Sequence, residues 1–174
     1  AIREERLAEE LRESRVRLSL GQIRSHFIYN VLTAINYTGQ HDASKANDAV
    51  ECFVRYLRSN VDVLQNDKLI PFEQEMAHLR DYIALEKIHY DEEICFKEEL
   101  EVTDFLIPPL VIQPLVENAI HHGFDKMQKQ GSITVATRRS EDTVTVTITD
   151  DGAGFDQTKP VREGAVGVRN VCFR

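Results

Sequence analysis

Strong positive charge is what this sequence most plainly lacks. Its 174 residues carry 21 Lys and Arg against 29 Asp and Glu, a formal net charge of −8, and the pI is near 5.3. A surface built for DNA or RNA needs clustered cations to neutralise phosphates, so no nucleic-acid partner is expected. An acidic chain can still hold a nucleotide, because backbone N–H groups and a bound cation do that work locally. Cysteine is scarce as well: Cys52, Cys95 and Cys172 are an odd number, widely spaced, with no Cys-x-x-Cys or Cys/His ligand pattern. That spacing argues against a disulfide framework or a zinc site and for reduced thiols. Long apolar runs are missing too. Nothing approaches the length of a membrane span, and no signal peptide is visible.

What is present is a globular composition, 42% hydrophobic and 29% charged, on a chain long enough for one domain or for a helical module plus a small domain. The chain begins inside a charged helical pattern, AIREERLAEELRESRVRLSL, and is expected to be cut from something longer. Leu7, Leu11 and Leu18 sit there at coiled-coil spacing. One long helical pattern runs from residue 1 to about residue 40. Gly39 stops it, TGQHDAS forms a loop, and Ser44 is a plausible N-cap for a second helix. That helix, KANDAVECFVRYLRSNVDVL, places Ala46, Val50, Phe53, Val54 and Leu57 on one face. Two antiparallel helices joined by a short loop cannot bury both apolar stripes alone, so dimerisation into a four-helix bundle is expected.

Composition changes at QNDKLIP, which reads as a linker or short edge strand. FEQEMAHLRDYIALEKIHY is a third helix, EICFKEEL is strand-like, and IPPLVIQPLVENAIHHG is an extended lead-in to a helix ending at Gly123. SITVATRR and TVTVTITDD form a hairpin around Ser140 to Asp142, with Val144, Val146 and Ile148 alternating against threonines. Helices interleaved with strands predict an α/β sandwich. The expected organisation is a helical hairpin over residues 1–64, a linker over 65–71 and an α/β domain over 72–174.

Four elements carry chemistry. In LGQIRSHFIYNVLTAINY, Ile23, Phe27, Val31 and Ile35 form an apolar stripe. Gln22, His26 and Asn30 form a polar stripe beside it, because residues four apart share a helix face. In ITDDGAGF, a strand ends in two carboxylates and turns through Gly152 and Gly154, where glycine admits close backbone approach to a ligand. An aspartate there can accept a hydrogen bond from an exocyclic amine, although Asp-Gly turns are also common in plain acidic loops. In LVENAIHHG, Asn118 offers an oxygen suited to Mg²⁺, which takes few protein ligands. His121 and His122 could touch phosphates, or simply complement the helix dipole. GAVGVRNV opens a further helix whose N–H groups would face an anion.

Taken in order, an Asn-bearing helix, an Asp-x-Gly-x-Gly turn and a glycine-bearing helix start resemble the ATP-binding domain shared by histidine kinases, gyrase, Hsp90 and MutL. Joined to QIRSHFIYNVL, the chain is similar to the LytS/YesM-type bacterial sensor histidine kinases over about residues 18 to 172. The resemblance implies dimerisation helices followed by an ATP-binding α/β sandwich of that superfamily, with ATP and Mg²⁺ as ligands. It implies that His26 is the phosphoacceptor, Asn118 the Mg²⁺ ligand and Asp150 the adenine-holding aspartate, with Gly152, Gly154 and Gly167 shaping the pocket and its lid. Glu117 fits the same motif, and Gln22 and Asn30 would flank the phosphoacceptor. It further implies a homodimer through the helical hairpin, a response-regulator partner, and a place as the cytoplasmic part of a bacterial membrane sensor whose N-terminal region precedes this chain. Ser25 stands where the family usually has Pro, and His121 where it usually has Lys or Arg. Val166 falls within Ala165-Val166-Gly167-Val168, where Gly-x-Gly-Leu is common. The ATP domain is expected to be incomplete at Arg174. Two other readings follow from the same residues: a dimeric nucleotide-binding module that does not phosphorylate itself, and a water-activating ATPase. The ATPase would want an acid four residues before Asn118, where Pro114 stands.

Overall fold

The computed structural model describes residues 25–65, 68–89, 94–124 and 131–152, with backbone alone for 62–65 and 122–124. Helix α1 spans Ser25–Gly39 and α2 spans Ala43–Gln65. The loop between them is closed by local bonds: the amide of Asp42 donates to Thr38 O at 2.7 Å, and Asp42 Oδ1 accepts from the amide of Lys45 at 3.0 Å. Asp42, and not Ser44, is therefore the side chain that caps α2. An Asx side chain one residue before the helix satisfies an amide that the helix itself cannot.

A short strand β1 (Ile70–Pro71) leads into α3 (Phe72–His89), then β2 (Ile94–Leu100), β3 (Leu106–Ile107) and α4 (Gln113–Asn118). A π-helical turn, Ala119–Phe124, continues α4, and β4 (Gly131–Ser140) and β5 (Thr143–Asp150) close the described chain. Strand β4 lies between β2, its parallel neighbour, and β5, its antiparallel one; β1 pairs separately with β3. A helix-bearing crossover between parallel β2 and β4 is what parallel pairing requires. The hairpin turn falls on Glu141 and Asp142, with Glu141 at φ 50°, a conformation costly for a side-chain-bearing residue outside turns.

The chain divides into two units. One is Ala1–Lys68 with Arg80–His89; the other is Leu69–Leu79 with Tyr90–Arg174. The division therefore passes through α3, whereas composition had suggested the 65–71 linker. The reason lies in which side chains α3 buries and against what.

In the first unit Phe27 is the hub. Its ring meets Tyr56 edge-on at 5.3 Å and Tyr82 at 5.2 Å, and all three are buried. Such aromatic pairs are worth about 0.5–1.5 kcal/mol beyond their buried area. Tyr82 belongs to the second half of α3, and so that half packs with the hairpin. The buried stripe of α2 is Ala46, Ala49, Cys52, Phe53 and Tyr56, while Val50 and Val54 stay 44% and 46% exposed. In the second unit Phe72 stacks on Phe105 at 4.5 Å. Met76, Leu79, Ile112, Val116, Ile120, Ile133 and Val135 form the fully buried core.

Candidate functional site

The sequence motifs fall in both units. In the helical unit, His26 lies in the first described turn of α1 and is exposed, one residue from buried Phe27. Asn30, one turn further, places its amide nitrogen 3.2 Å from His26 Nδ1. The same nitrogen lies 3.3 Å from His89 Nε2, at the end of α3. An amide NH₂ has two hydrogens and can only donate, so both imidazole nitrogens accept. Gln22 lies outside the described residues. His89, which sequence reasoning missed, thus shares an amide with the His26 ring. The signal was present: Tyr82, Glu86 and His89 recur on one stripe of α3, and Tyr82 is the residue that packs on Phe27.

The surroundings of this face are firmly fixed. The Tyr82 hydroxyl donates to buried Glu86 Oε1 at 2.7 Å, and Asn60 Nδ2 donates to Tyr56 O at 2.9 Å. Arg55 Nη2 meets Asp81 Oδ1 at 3.1 Å, and the Cys52 thiol donates to the same aspartate. Burial, then the adjacent Asp81 charge, pushes the Cys52 thiol up to about 11. It is a poor nucleophile at neutral pH, as the thiolate is the reactive form.

In the sheet unit, Asn118 ends α4 and is half-buried, and Glu117 beside it accepts from Gln113 Nε2 at 2.7 Å. No side chain of its own N-cap, Ile112, caps this helix. The acceptor comes instead from α3. Glu75, 1% exposed, takes the amide of Leu110 on Oε2 at 2.9 Å and those of Val111 and Ile112 on Oε1 at 3.0 Å each. Leu110 adopts φ 54°, turning successive N–H groups toward one carboxylate. An anion at a helix N-terminus is also favoured by the helix dipole. Burial raises the Glu75 carboxyl above its ordinary range, and its backbone amide bonds offset part of that rise. Sequence reasoning missed Glu75, although a carboxylate on the Phe72, Met76, Leu79 stripe of α3 was a visible anomaly.

The two carboxylates after β5 do different jobs. Asp151 Oδ1 accepts from the Ser132 amide at 2.7 Å, and the Asp151 amide donates to Ser132 O, tying the strand end to β4. Asp150 is exposed and folds the turn, its Oδ1 accepting from the Gly152 amide at 3.0 Å. Its remaining acceptor positions suit an amine. Asn118 offers a sparse, single-oxygen donor set, and no cluster of three or more His, Cys, Asp or Glu able to hold a metal occurs among the described residues. Such a set fits Mg²⁺, which binds one or two protein groups and completes its shell with phosphate and water. His121 is half-buried in the π-helical turn; the His122 side chain, Gly154 and Gly167 lie outside what is described.

Residues 14–94 match the family model described as histidine kinase. Residues 107–166 match the model for histidine kinase-, DNA gyrase B- and HSP90-like ATPases, which implies ATP binding. The chain is 33% identical to the uncharacterised protein YwpD of Bacillus subtilis (strain 168), over 88% of this chain and 58% of that one. It is 32% identical to the sensor histidine kinase YpdA of Escherichia coli (strain K12), over 99% of this chain and 32% of that one. It is 29% identical to the sensor protein LytS of Oceanobacillus iheyensis, over 88% of this chain and 26% of that one. This chain therefore spans between about a quarter and three-fifths of these relatives' lengths.

Proposed function

We propose, from the premise that this chain belongs to the histidine kinase family, that it is the kinase core of a two-component sensor, in which His26 takes the γ-phosphoryl group of ATP and passes it to a response-regulator aspartate. The observation that carries this reading is the exposed His26 ring on a rigid aromatic platform, with a side-chain amide on one of its two nitrogens. A neutral imidazole can attack phosphorus through its unprotonated nitrogen without losing a proton first, once that nitrogen is free of the amide. That nitrogen forms the new N–P bond, and the bond to the ADP oxygen breaks with its electron pair leaving on ADP. Phosphoryl transfer asks mainly for positioning and charge neutralisation.

The sheet unit supports the nucleotide half of the reading. Asp150 would accept from the adenine amine, and Asn118 would hold Mg²⁺. Mg²⁺ supplies charge neutralisation on the phosphates when bound. His121 and His122 would contact those phosphates, and Gly152, Gly154 and Gly167 would shape the pocket wall and lid. The hairpin leaves Tyr29, Leu32, Tyr37, Val50 and Val54 exposed. Apolar exposure of that kind supports a homodimer through the hairpin, closing a four-helix bundle. No described helix is long and apolar enough to cross a membrane. The membrane-anchored sensor region, and with it a position on the cytoplasmic side, is proposed on the likeness to LytS and YpdA.

Incubation with γ-labelled ATP and Mg²⁺ tests the function. Acid-labile, base-stable label on the wild-type chain and none on His26→Ala is expected. Release of free phosphate without label would favour the ATPase reading, and bound nucleotide with neither outcome would favour a non-catalytic module.

A further inference from the structure

His26 can be a nucleophile through one ring nitrogen only while the other holds the proton. In the arrangement described above, Asn30 donates to His26 Nδ1, so the ring's proton sits on Nε2. The Nδ1 lone pair is engaged by the amide and the Nε2 lone pair is used by hydrogen. Neither nitrogen is open to phosphorus. The same amide donates to His89 Nε2, and both contacts come from a single NH₂ group. The two ends of a carboxamide have almost the same shape, so a half-turn about its last side-chain bond puts Oδ1 where Nδ2 was. Both imidazoles would then have to donate, His26 from Nδ1 and His89 from Nε2. That leaves His26 Nε2 bare.

We propose that Asn30 and His89 form a tautomer selector for His26: one amide reads both rings, so the hydrogen-bonding character of residue 89 decides which His26 nitrogen is free to take the phosphoryl group. A donor at position 89 holds Asn30 with its carbonyl toward both rings and opens Nε2. An acceptor at position 89 holds the amide with its NH₂ toward both rings and closes it. In the open state Nε2 forms the N–P bond, the P–O bond to ADP breaks with its electron pair leaving on ADP, and the proton stays on Nδ1, hydrogen-bonded to Asn30 Oδ1, until it passes to water. His89 never touches the phosphate in this scheme; it is a positioning residue acting through Asn30. The inference rests on the phosphoacceptor reading of His26.

The test uses the whole chain, with ¹⁵N-labelled histidine, at a pH where His26 is neutral and with no nucleotide present. Two-bond ¹H–¹⁵N spectra report the His26 tautomer directly. His89→Lys can only donate and His89→Glu can only accept. His89 is exposed, so both variants are expected to keep the wild-type fold, checked by circular dichroism. His89→Lys should raise the Nδ1–H fraction of His26 relative to the Nε2–H form by about fivefold, the factor that one neutral hydrogen bond supports. His89→Glu should move the ratio the other way, and Asn30→Leu should make it indifferent to residue 89. Initial autophosphorylation rates, measured on the same proteins with γ-labelled ATP, should rank in the same order. A His26 tautomer ratio that is unchanged between the Lys and Glu variants, or that still follows residue 89 once Asn30 is Leu, overturns the selector. Label that persists on His26→Ala overturns the phosphoacceptor reading instead, and does so without touching the spectra. The two failures are thus separable.

Discussion

The helical unit and the sheet unit solve the same problem, holding one candidate site residue still, by opposite means. Around His26 the rigid element is apolar: three aromatic rings interlock beneath α1, and the polar groups lie on top. Around Asn118 the rigid element is ionic: a buried carboxylate gathers three backbone amides ahead of α4. An apolar platform is insensitive to pH and fails gradually as methylenes are removed. A buried charge that satisfies several amides fails at once if its oxygens are lost, because orphaned buried donors carry the full desolvation penalty.

The sharpest way to break that contrast is to empty the platform. Phe27→Ala should cost about 3–5 kcal/mol, the usual range for a buried aromatic. Hydrogen exchange would show lost protection in α1, α2 and the second half of α3, with β4 and β5 amides still protected. Equal loss in the sheet would erase the distinction between the units. Next comes Glu75→Ala, expected to cost about 3 kcal/mol through three orphaned amides and to weaken nucleotide binding, measured by calorimetry. Unchanged nucleotide affinity in Glu75→Ala would sink the role given to Glu75.

Glu75 also makes a pH prediction. Its folded-state pKa is raised, so the folded chain holds that proton more tightly than the unfolded chain does. The contribution is therefore fully present below the ordinary carboxyl pKa and is lost as pH rises through the raised folded value. Denaturation midpoints followed by sheet-unit probes should fall over that window, and Glu75→Gln should flatten the slope. The smallest effect expected is chemical. Cys52, held near 11 and buried, should alkylate far more slowly at pH 7.5 than exposed Cys95, read by mass spectrometry of peptides. Equal rates would mean that the Cys52 and Asp81 contact opens readily.

Much of this was legible in the residues. Phe27, Val31 and the two helices followed from four-residue periodicity, and β5 from strict alternation, because both patterns extend over enough residues to be distinctive. Asp150 and Asn118 stood out through their glycine and helix contexts. What could not be read has physical reasons. Strands β1 and β3 are two residues each, too short for any period to show. On α2, the stripe carrying Val50 and Val54 and the stripe carrying Ala49, Cys52 and Tyr56 are adjacent. The larger valines suggested the inner face, yet small Ala and Cys let the rings of Phe27 and Tyr56 close in. Glu75 and His89 act at 35 to 37 and 59 residues' separation, and no local pattern encodes a contact across such a span.

The placement of β4 between a local and a remote neighbour has a consequence for how the chain is made. The β4–β5 hairpin needs only a two-residue turn and should form within about 1–10 μs. Strand β2, by contrast, is made first and has no parallel partner until the intervening segment and β4 have followed it. Nascent β2 therefore spends its early life with an unsatisfied flank. During translation, that flank is where a chaperone would gain its hold and where stray strands would pair first.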